Sequence, residues 1–173
     1  MGDDCGVLNW GSAVSRGSRG STWLPPKPVI HAAWRAHRGL YRLTHGRRGL
    51  REPTPDRWGT MVLTATGRRT GAPRSVILAF IEDGPDLVTL AMNGWDRAEP
   101  AWWLNLQHDR HATVVLPDGW SREVTAHEAR DAERDRLWAR YTRVTPHLDD
   151  WAARRGSTTA VVVLEPRSLH RSP

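Results

Sequence analysis

Cysteine is almost absent from this sequence, since Cys5 is the only one among 173 residues. A single thiol excludes an internal disulfide and a cysteine-based metal site, so we expect a fold that needs neither. The sequence also contains no run of 18 apolar residues, and its first 26 residues lack the apolar stretch of a secretory signal. These absences favour a cytoplasmic protein.

Lysine is equally rare, because Lys27 is the only one. Lys and Arg together number 25 against 19 for Asp and Glu, so nearly all of the basic charge is arginine. The planar guanidinium can hold phosphate or carboxylate through two hydrogen bonds, and the excess therefore indicates anionic partners. The codon bias of a GC-rich genome would explain the general excess equally well, but it does not explain local clusters of arginine.

The common catalytic motifs are missing as well. The sequence has no G-x-S-x-G, H-E-x-x-H, Walker or G-x-G-x-x-G pattern. Its eight histidines are scattered rather than spaced as metal ligands, so we expect no metal site. The acids Asp131, Glu133, Asp149 and Asp150 could be imagined as a catalytic pair, but in such arginine-rich segments they are more typical of ion-pair partners.

The composition of the N-terminal region differs from that of the remainder. Residues 1–27 mix Gly, Ser, Arg and Pro without periodicity, which predicts a flexible tail before a single domain over residues 28–173. A helix is predicted over 28–45, with Arg35, Arg38 and Arg42 on its polar face. Such a face either lies on a membrane surface, covers an anionic ligand, or is simply solvated.

The pattern beyond residue 59 predicts an α+β fold, an antiparallel barrel with flanking helices. Strands are expected over 60–66, 75–82, 86–92, 111–117, 120–129 and 158–166, and helices over 100–108 and 130–155, the latter broken at Pro146. A two-residue turn at Asp118 and Gly119 is expected to join the fourth and fifth strands.

Two stretches stand out as candidate binding segments. The connection "TGRRTGAPR", residues 66–74, carries Arg68, Arg69 and Arg74 without an acid, and its glycines allow backbone N–H groups to turn toward an anion. The second stretch, "AMNGWDRAEPAWWLNL", covers residues 91–106. Its aromatic residues would suit a planar heterocycle; alternatively, Trp102 is core and Trp103 its partly exposed neighbour.

Together, "LTATGRRTGAPR", "NG…PAWWLNL" and "VVVLEP" resemble the deazaflavin (coenzyme F420)-dependent nitroreductase family, which includes quinone reductases. The resemblance covers residues 38–166 and begins with "YRLTHGRRG". It implies a split β-barrel, mainly antiparallel, that binds F420, a cofactor with a phosphate and a polyglutamate tail. It also implies hydride transfer from reduced F420 to a quinone, a nitro compound or an activated alkene. The nearest alternative cofactor is FMN, bound by relatives with the same barrel.

Matching positions give the residues that the resemblance implies for the cofactor. They are Arg68, Arg69, Thr70 and Arg74 for the phosphate and tail, and Asn93, Gly94, Pro100, Trp102 and Asn105 for the ring and phosphate end. The remaining residues expected to bind the cofactor are Thr66, Gly67, Met92 and Arg97.

The sequence departs from the family pattern S-N-G-G-x-x-(K/R)-x-P in three places. Met92 replaces the serine, Trp95 replaces the second glycine, and Arg97 lies one position early. A tryptophan in place of glycine narrows the pocket or displaces the loop. Tyrosines that some members carry near the substrate are absent from "TPHLDDW", which leaves Tyr141 and His147 as candidate proton donors.

Other classes of function remain open at this point. A basic, tryptophan-rich barrel could bind single-stranded nucleic acid, with bases stacked on tryptophan side chains, although the family resemblance makes this the weaker prediction. A carrier that stores F420 without turnover is a second alternative. The expected partner is a small-molecule electron acceptor, with peripheral membrane contact as a further possibility, and the chain is a monomer or a homodimer.

Overall fold

The computed structural model describes residues 50–92 and 97–167. The predicted tail, the predicted helix over 28–45 and the segment 93–96, which contains Asn93, Gly94 and Trp95, lie outside the described residues. The domain boundary at residue 28 therefore stays a prediction. Among the described residues, no helix is long and apolar enough to cross a membrane.

Six strands form a closed barrel in the spatial order β1-β2-β3-β6-β5-β4. Every neighbouring pair is antiparallel, and β1 closes the barrel by pairing with both β2 and β4. The strands are β1 (Gly59–Thr66), β2 (Pro73–Asp83), β3 (Asp86–Leu90), β4 (His111–Val115), β5 (Ser121–Glu128) and β6 (Val161–Pro166). This architecture confirms the predicted α+β barrel.

The final strand, β6, is buried on both of its faces. Val162 and Leu164 point into the barrel interior, whereas Val161 and Val163 belong to a second apolar cluster. Successive side chains of a strand point to opposite faces, so a strand between two cores must be apolar at every position. The unbroken "VVVL" run is explained by this double burial.

Within the described residues, three helices accompany the barrel: α1 (Ala101–His108), α2 (Asp131–Val144) and α3 (Leu148–Arg155). Trp102, Trp103 and Leu106 of α1 join the core of the barrel. Leu137 and Tyr141 of α2 form the second cluster with Val161 and Val163. The predicted break at Pro146 is confirmed, since this residue lies between α2 and α3.

The connection between β4 and β5 differs from the predicted two-residue turn. The N–H of Gly119 donates to the Leu116 carbonyl at 2.9 Å, and that of Leu116 donates to the Trp120 carbonyl at 3.4 Å. The turn therefore centres on Pro117 and Asp118, with Gly119 in the left-handed region at φ 83°. Proline suits the first central position of such a turn, and the glycine that follows completes a three-residue loop.

Ion pairs fix α2 to the hairpin of β2 and β3. Asp83 lies 2.7 Å from Arg136 and also pairs with Arg140. The hydrogen bond from Arg136 lowers the pKa of Asp83, and the charges of both arginines add to this effect against the opposing effect of burial.

We expect Asp83→Asn to reduce the free energy of unfolding at pH 7 by no more than about 1 kcal/mol, because water screens both partly exposed arginines. The folded pKa is depressed, so this contribution is present above the pKa of the unfolded chain. It is lost as pH falls from about 4 through the folded pKa. Urea titrations at several pH values should show the two proteins converging in acid; a difference independent of pH would contradict the assignment.

Candidate cofactor site

A tight turn between β1 and β2 forms one wall of the candidate site. The carbonyl of Gly67 accepts hydrogen bonds from the N–H groups of Thr70 at 3.1 Å and Gly71 at 2.7 Å, and Gly71 has φ 68°. A Cβ on Gly67 would lie 2.9 Å from the carbonyl oxygen of Ala72. Both glycines are thus required by the shape of the turn, which we call the arginine turn (residues 66–74).

Asn105 of α1 joins the second predicted segment to the arginine turn. Its Oδ1 atom accepts hydrogen bonds from the backbone N–H and from Nη1 of Arg68, both at 3.2 Å. Asn105 is only 6% exposed. Two segments that are 37 residues apart in the sequence are therefore held together at one buried amide.

The other arginines of the turn point toward solvent. Arg69 and Arg74 are exposed, and an Nη2 hydrogen of Arg74 reaches Thr70 Oγ1 at 3.5 Å. The structure thus brings Thr70 and Arg74 together, and Arg68 together with Asn105. Within residues 50–92 and 97–167, no carboxylate forms an ion pair with any of the three arginines.

The two tryptophans of α1 do not form an exposed platform. Trp102 is 8% exposed and Trp103 is 4% exposed, with ring centroids 6.2 Å apart and planes tilted by 58°. Both pack in the barrel core, which agrees with the alternative that Trp102 is a core residue. Trp103, however, is buried as well and not partly exposed as that alternative expected. The expected contact between Trp102 and the ring of the cofactor stays a prediction, and only the 8% of Trp102 that is exposed is available for it.

The second segment continues through Met92, Arg97 and Pro100. Met92 packs against the second apolar cluster, Arg97 is exposed, and the carbonyl of buried Pro100 accepts the first hydrogen bonds of α1. Asn93 and Gly94 belong to the segment outside the described residues, so their predicted contacts cannot be placed beside the arginine turn.

One residue near this segment was missed by sequence reasoning. Arg155, at the end of α3, has no exposed surface and contacts residues on both sides of the segment 93–96. In the sequence it follows Arg154 in the last turn of a helix, where basic residues are common, so no local signal distinguished it.

The candidate proton donors occupy different environments. Tyr141 is 4% exposed within the second apolar cluster, and burial raises the pKa of its hydroxyl above the ordinary value. His147 precedes α3, is partly exposed, and lies 3.7 Å from Asp150. Neither residue belongs to the cluster that contains the tryptophans of α1.

A groove of about 260 Å³ borders the arginine turn at Thr66 and Pro73. Asp109, Glu123 and Arg167 also line it, and the hydrogen bond from the backbone N–H of His111 lowers the pKa of Asp109. Two carboxylates against one arginine disfavour an anion in this groove. The predicted contact of Arg68, Arg69 and Arg74 with the anionic part of the cofactor stays a prediction. No group of three or more potential metal ligands occurs in the part of the chain that the structure describes.

We expect Asn105→Ala to lower the free energy of unfolding by about 1–3 kcal/mol, because the N–H of Arg68 loses its buried acceptor. Gln107→Ala, on an exposed position of the same helix, is the matched control. Urea unfolding of both variants measures the difference, and equal stability of the two would show that the amide does not hold the turn.

Comparison with known proteins places this chain in a family. The sequence pattern of F420H(2)-dependent quinone reductases matches residues 33–166. An F420H(2)-dependent quinone reductase of Mycobacterium tuberculosis (strain ATCC 25618 / H37Rv) is 30% identical over 119 residues, 68% of this chain and 78% of the relative. The relative from strain CDC 1551 / Oshkosh gives the same values.

Solved structures support the fold. An F420-H2 dependent reductase (FDR-A) superimposes with a TM-score of 0.56 at 23% identity, over 61% of this chain and 93% of that one. The predicted coenzyme F420 and the predicted reductase class agree with the family pattern and are thereby confirmed. The chain belongs to the F420H(2)-dependent quinone reductase family.

Proposed function

We propose that this chain reduces a quinone with F420H2, and that the arginine turn holds the phosphate and polyglutamate tail of the cofactor. The observation that carries the proposal is the lack of carboxylate partners for Arg68, Arg69 and Arg74 within the described residues. By contrast, Arg136, Arg140 and Arg155 are all paired with acids. Uncompensated guanidinium groups on one turn fit a polyanion, which they can bind through charge-assisted hydrogen bonds.

The protein's task in such a reaction is orientation rather than acid-base chemistry. Bound F420H2 supplies the hydride for an electrophilic acceptor. Asn105 fixes the direction of the Arg68 guanidinium, and the hydrogen-bonded turn carries Arg69 and Arg74 as exposed side chains. Such preorganised donors bind an anion without first having to be ordered, which favours affinity.

A quinone is the favoured acceptor because the family and the mycobacterial relatives are named as quinone reductases. A nitro compound or an activated alkene would meet the same need for a flat electrophile. We propose His147 rather than Tyr141 for proton delivery, since His147 is partly exposed whereas Tyr141 is buried.

We expect Arg68→Ala, Arg69→Ala and Arg74→Ala each to weaken F420 binding about tenfold, because one charge-assisted hydrogen bond is worth roughly 1.5–3 kcal/mol before screening by water. Optical titration of the cofactor measures the affinity. Arg143→Ala, which removes an exposed arginine from α2, is the matched control and should bind F420 like the parent protein.

Salt and cofactor length distinguish the anion site from a general effect. The difference in F420 affinity between each alanine variant and the parent protein should decrease as ionic strength rises. It should nearly vanish for a cofactor fragment without phosphate and tail. If all three folded variants bind intact F420 as tightly as the parent, the turn is not the anion site. Loss of single-stranded nucleic-acid binding on the same substitutions, without any effect on F420, would instead favour the nucleic-acid alternative.

We also propose peripheral contact with anionic lipid through the predicted helix over 28–45. Replacing Arg35, Arg38 and Arg42 with Gln should reduce binding to vesicles that contain anionic lipid, because each basic residue near the surface contributes about 1 kcal/mol. The control replaces Arg110, Arg130 and Arg143, which are exposed in the barrel domain, with the same loss of charge. Equal retention of both triple variants in a vesicle co-sedimentation assay would refute this contact.

A further inference from the structure

Arg155 is the largest polar side chain that is completely buried in the described part of the chain. Burial of a guanidinium costs several kcal/mol unless acceptors surround it, and an apolar side chain of similar volume often serves stability equally well. A buried arginine therefore calls for an explanation beyond core packing. Its hydrogen-bond partners supply one.

The guanidinium of Arg155 connects two separate backbone segments. Nη1 donates to the carbonyl of Ala91 at 2.8 Å, directly after β3. Nη2 donates to Glu99 Oε1 at 2.9 Å and to the Ala98 carbonyl at 3.4 Å, directly before α1. One rigid, planar group thus holds both flanks of the segment in which Asn93 and Gly94 lie in the sequence.

Neighbouring residues reinforce both attachments. Thr159 Oγ1 accepts from Nη1 of Arg155 at 3.2 Å, and the N–H of Ala91 donates to the Ala160 carbonyl at 2.9 Å. The Ser157 hydroxyl donates to the carbonyl of Arg97 at 3.1 Å. The chain between α3 and β6 is therefore a support on which both flanks rest.

The attachment before α1 also bears on the arginine turn. Glu99 precedes Pro100, whose carbonyl accepts the first hydrogen bonds of α1. The same short helix carries Asn105, the acceptor for Arg68. Contacts made by Arg155 thus extend, through one helix of eight residues, to the group that orients the anion-binding arginine.

We propose that Arg155 is a positioning residue that preorganises the F420 site by fixing Ala91 on one side and Ala98 and Glu99 on the other. This inference rests on the proposed function for the site. Lysine cannot replace Arg155, because its single ammonium cannot span the two flanks as the guanidinium does. Without the clamp, F420 would have to order these flanks on binding, at a cost in affinity.

The test compares Arg155→Lys with Arg134→Lys. Arg134 is a suitable control because its Nη1 donates to the carbonyl of Thr159 at 2.8 Å, in the same support, without a hydrogen bond to either flank. Two quantities are measured for each protein: F420 affinity by optical titration, and amide hydrogen exchange of residues 91–100 without cofactor. Urea unfolding records the loss of stability in both variants.

Arg155→Lys should weaken F420 binding about tenfold and accelerate exchange over residues 91–100, whereas Arg134→Lys should stay within about twofold of the parent in affinity. Unchanged exchange and affinity in Arg155→Lys would overturn the inference. The inference would also be overturned if Arg134→Lys lost as much F420 affinity as Arg155→Lys at the same loss of stability. The loss of affinity would then follow from destabilisation in general and not from the hydrogen bonds of Arg155.

A second variant covers the case in which Arg155→Lys does not fold. Glu99→Ala removes the Oε1 atom that accepts from Nη2 of Arg155, and it should accelerate exchange over residues 97–99 and weaken F420 binding several-fold. Normal exchange in this variant would overturn the inference. Failure of the parent protein to bind F420 would refute the proposed function instead, while the exchange measurements would still decide whether Arg155 holds the flanks.

Discussion

Burial of β6 between two apolar layers is the constraint on which the rest of the structure depends. The strand completes the barrel between β3 and β5, and it also provides the surface against which α2 packs. Removal of either layer would expose two of the four apolar residues 161–164 to water. The barrel and α2 therefore stabilise one another, and the support between α3 and β6 is fixed because β6 is fixed.

The candidate site is built at the edge of this rigid unit. The arginine turn continues directly from β1 into β2, so its geometry follows from the register of the longest strand pair. Two buried tryptophans anchor the short helix α1 in the barrel core. Asn105, a buried polar residue of the same helix, accepts the hydrogen bonds of Arg68. The sequence suggested that these tryptophans form a flat surface for the cofactor ring. In the structure they are buried and hold α1 against the barrel.

The distribution of charge divides the arginines of the described residues into two groups. Arg136 and Arg140 of α2 pair with Asp83, and Arg155 of α3 pairs with Glu99, so these three contribute to the architecture. The arginines of the turn lack such partners among the described residues. The proposed anion site rests on the clustering of three such arginines on one turn, rather than on the overall excess of base.

The sequence by itself determined the elements and the position of the arginine cluster in the turn between β1 and β2. Alternating apolar residues, glycine and proline turns, and a cluster of arginines are local features that can be recognised without coordinates. The Asp118-Gly119 pair predicts a two-residue turn between β4 and β5, but Pro117 takes the first central position and Gly119 follows the turn in the left-handed region. The tertiary structure alone decided which polar residues are buried together. Arg154 is exposed and its neighbour Arg155 is fully buried, and Asn105 finds its partner 37 residues away. Such choices depend on how helices dock against the barrel, and docking is a property of long-range packing that no local pattern records.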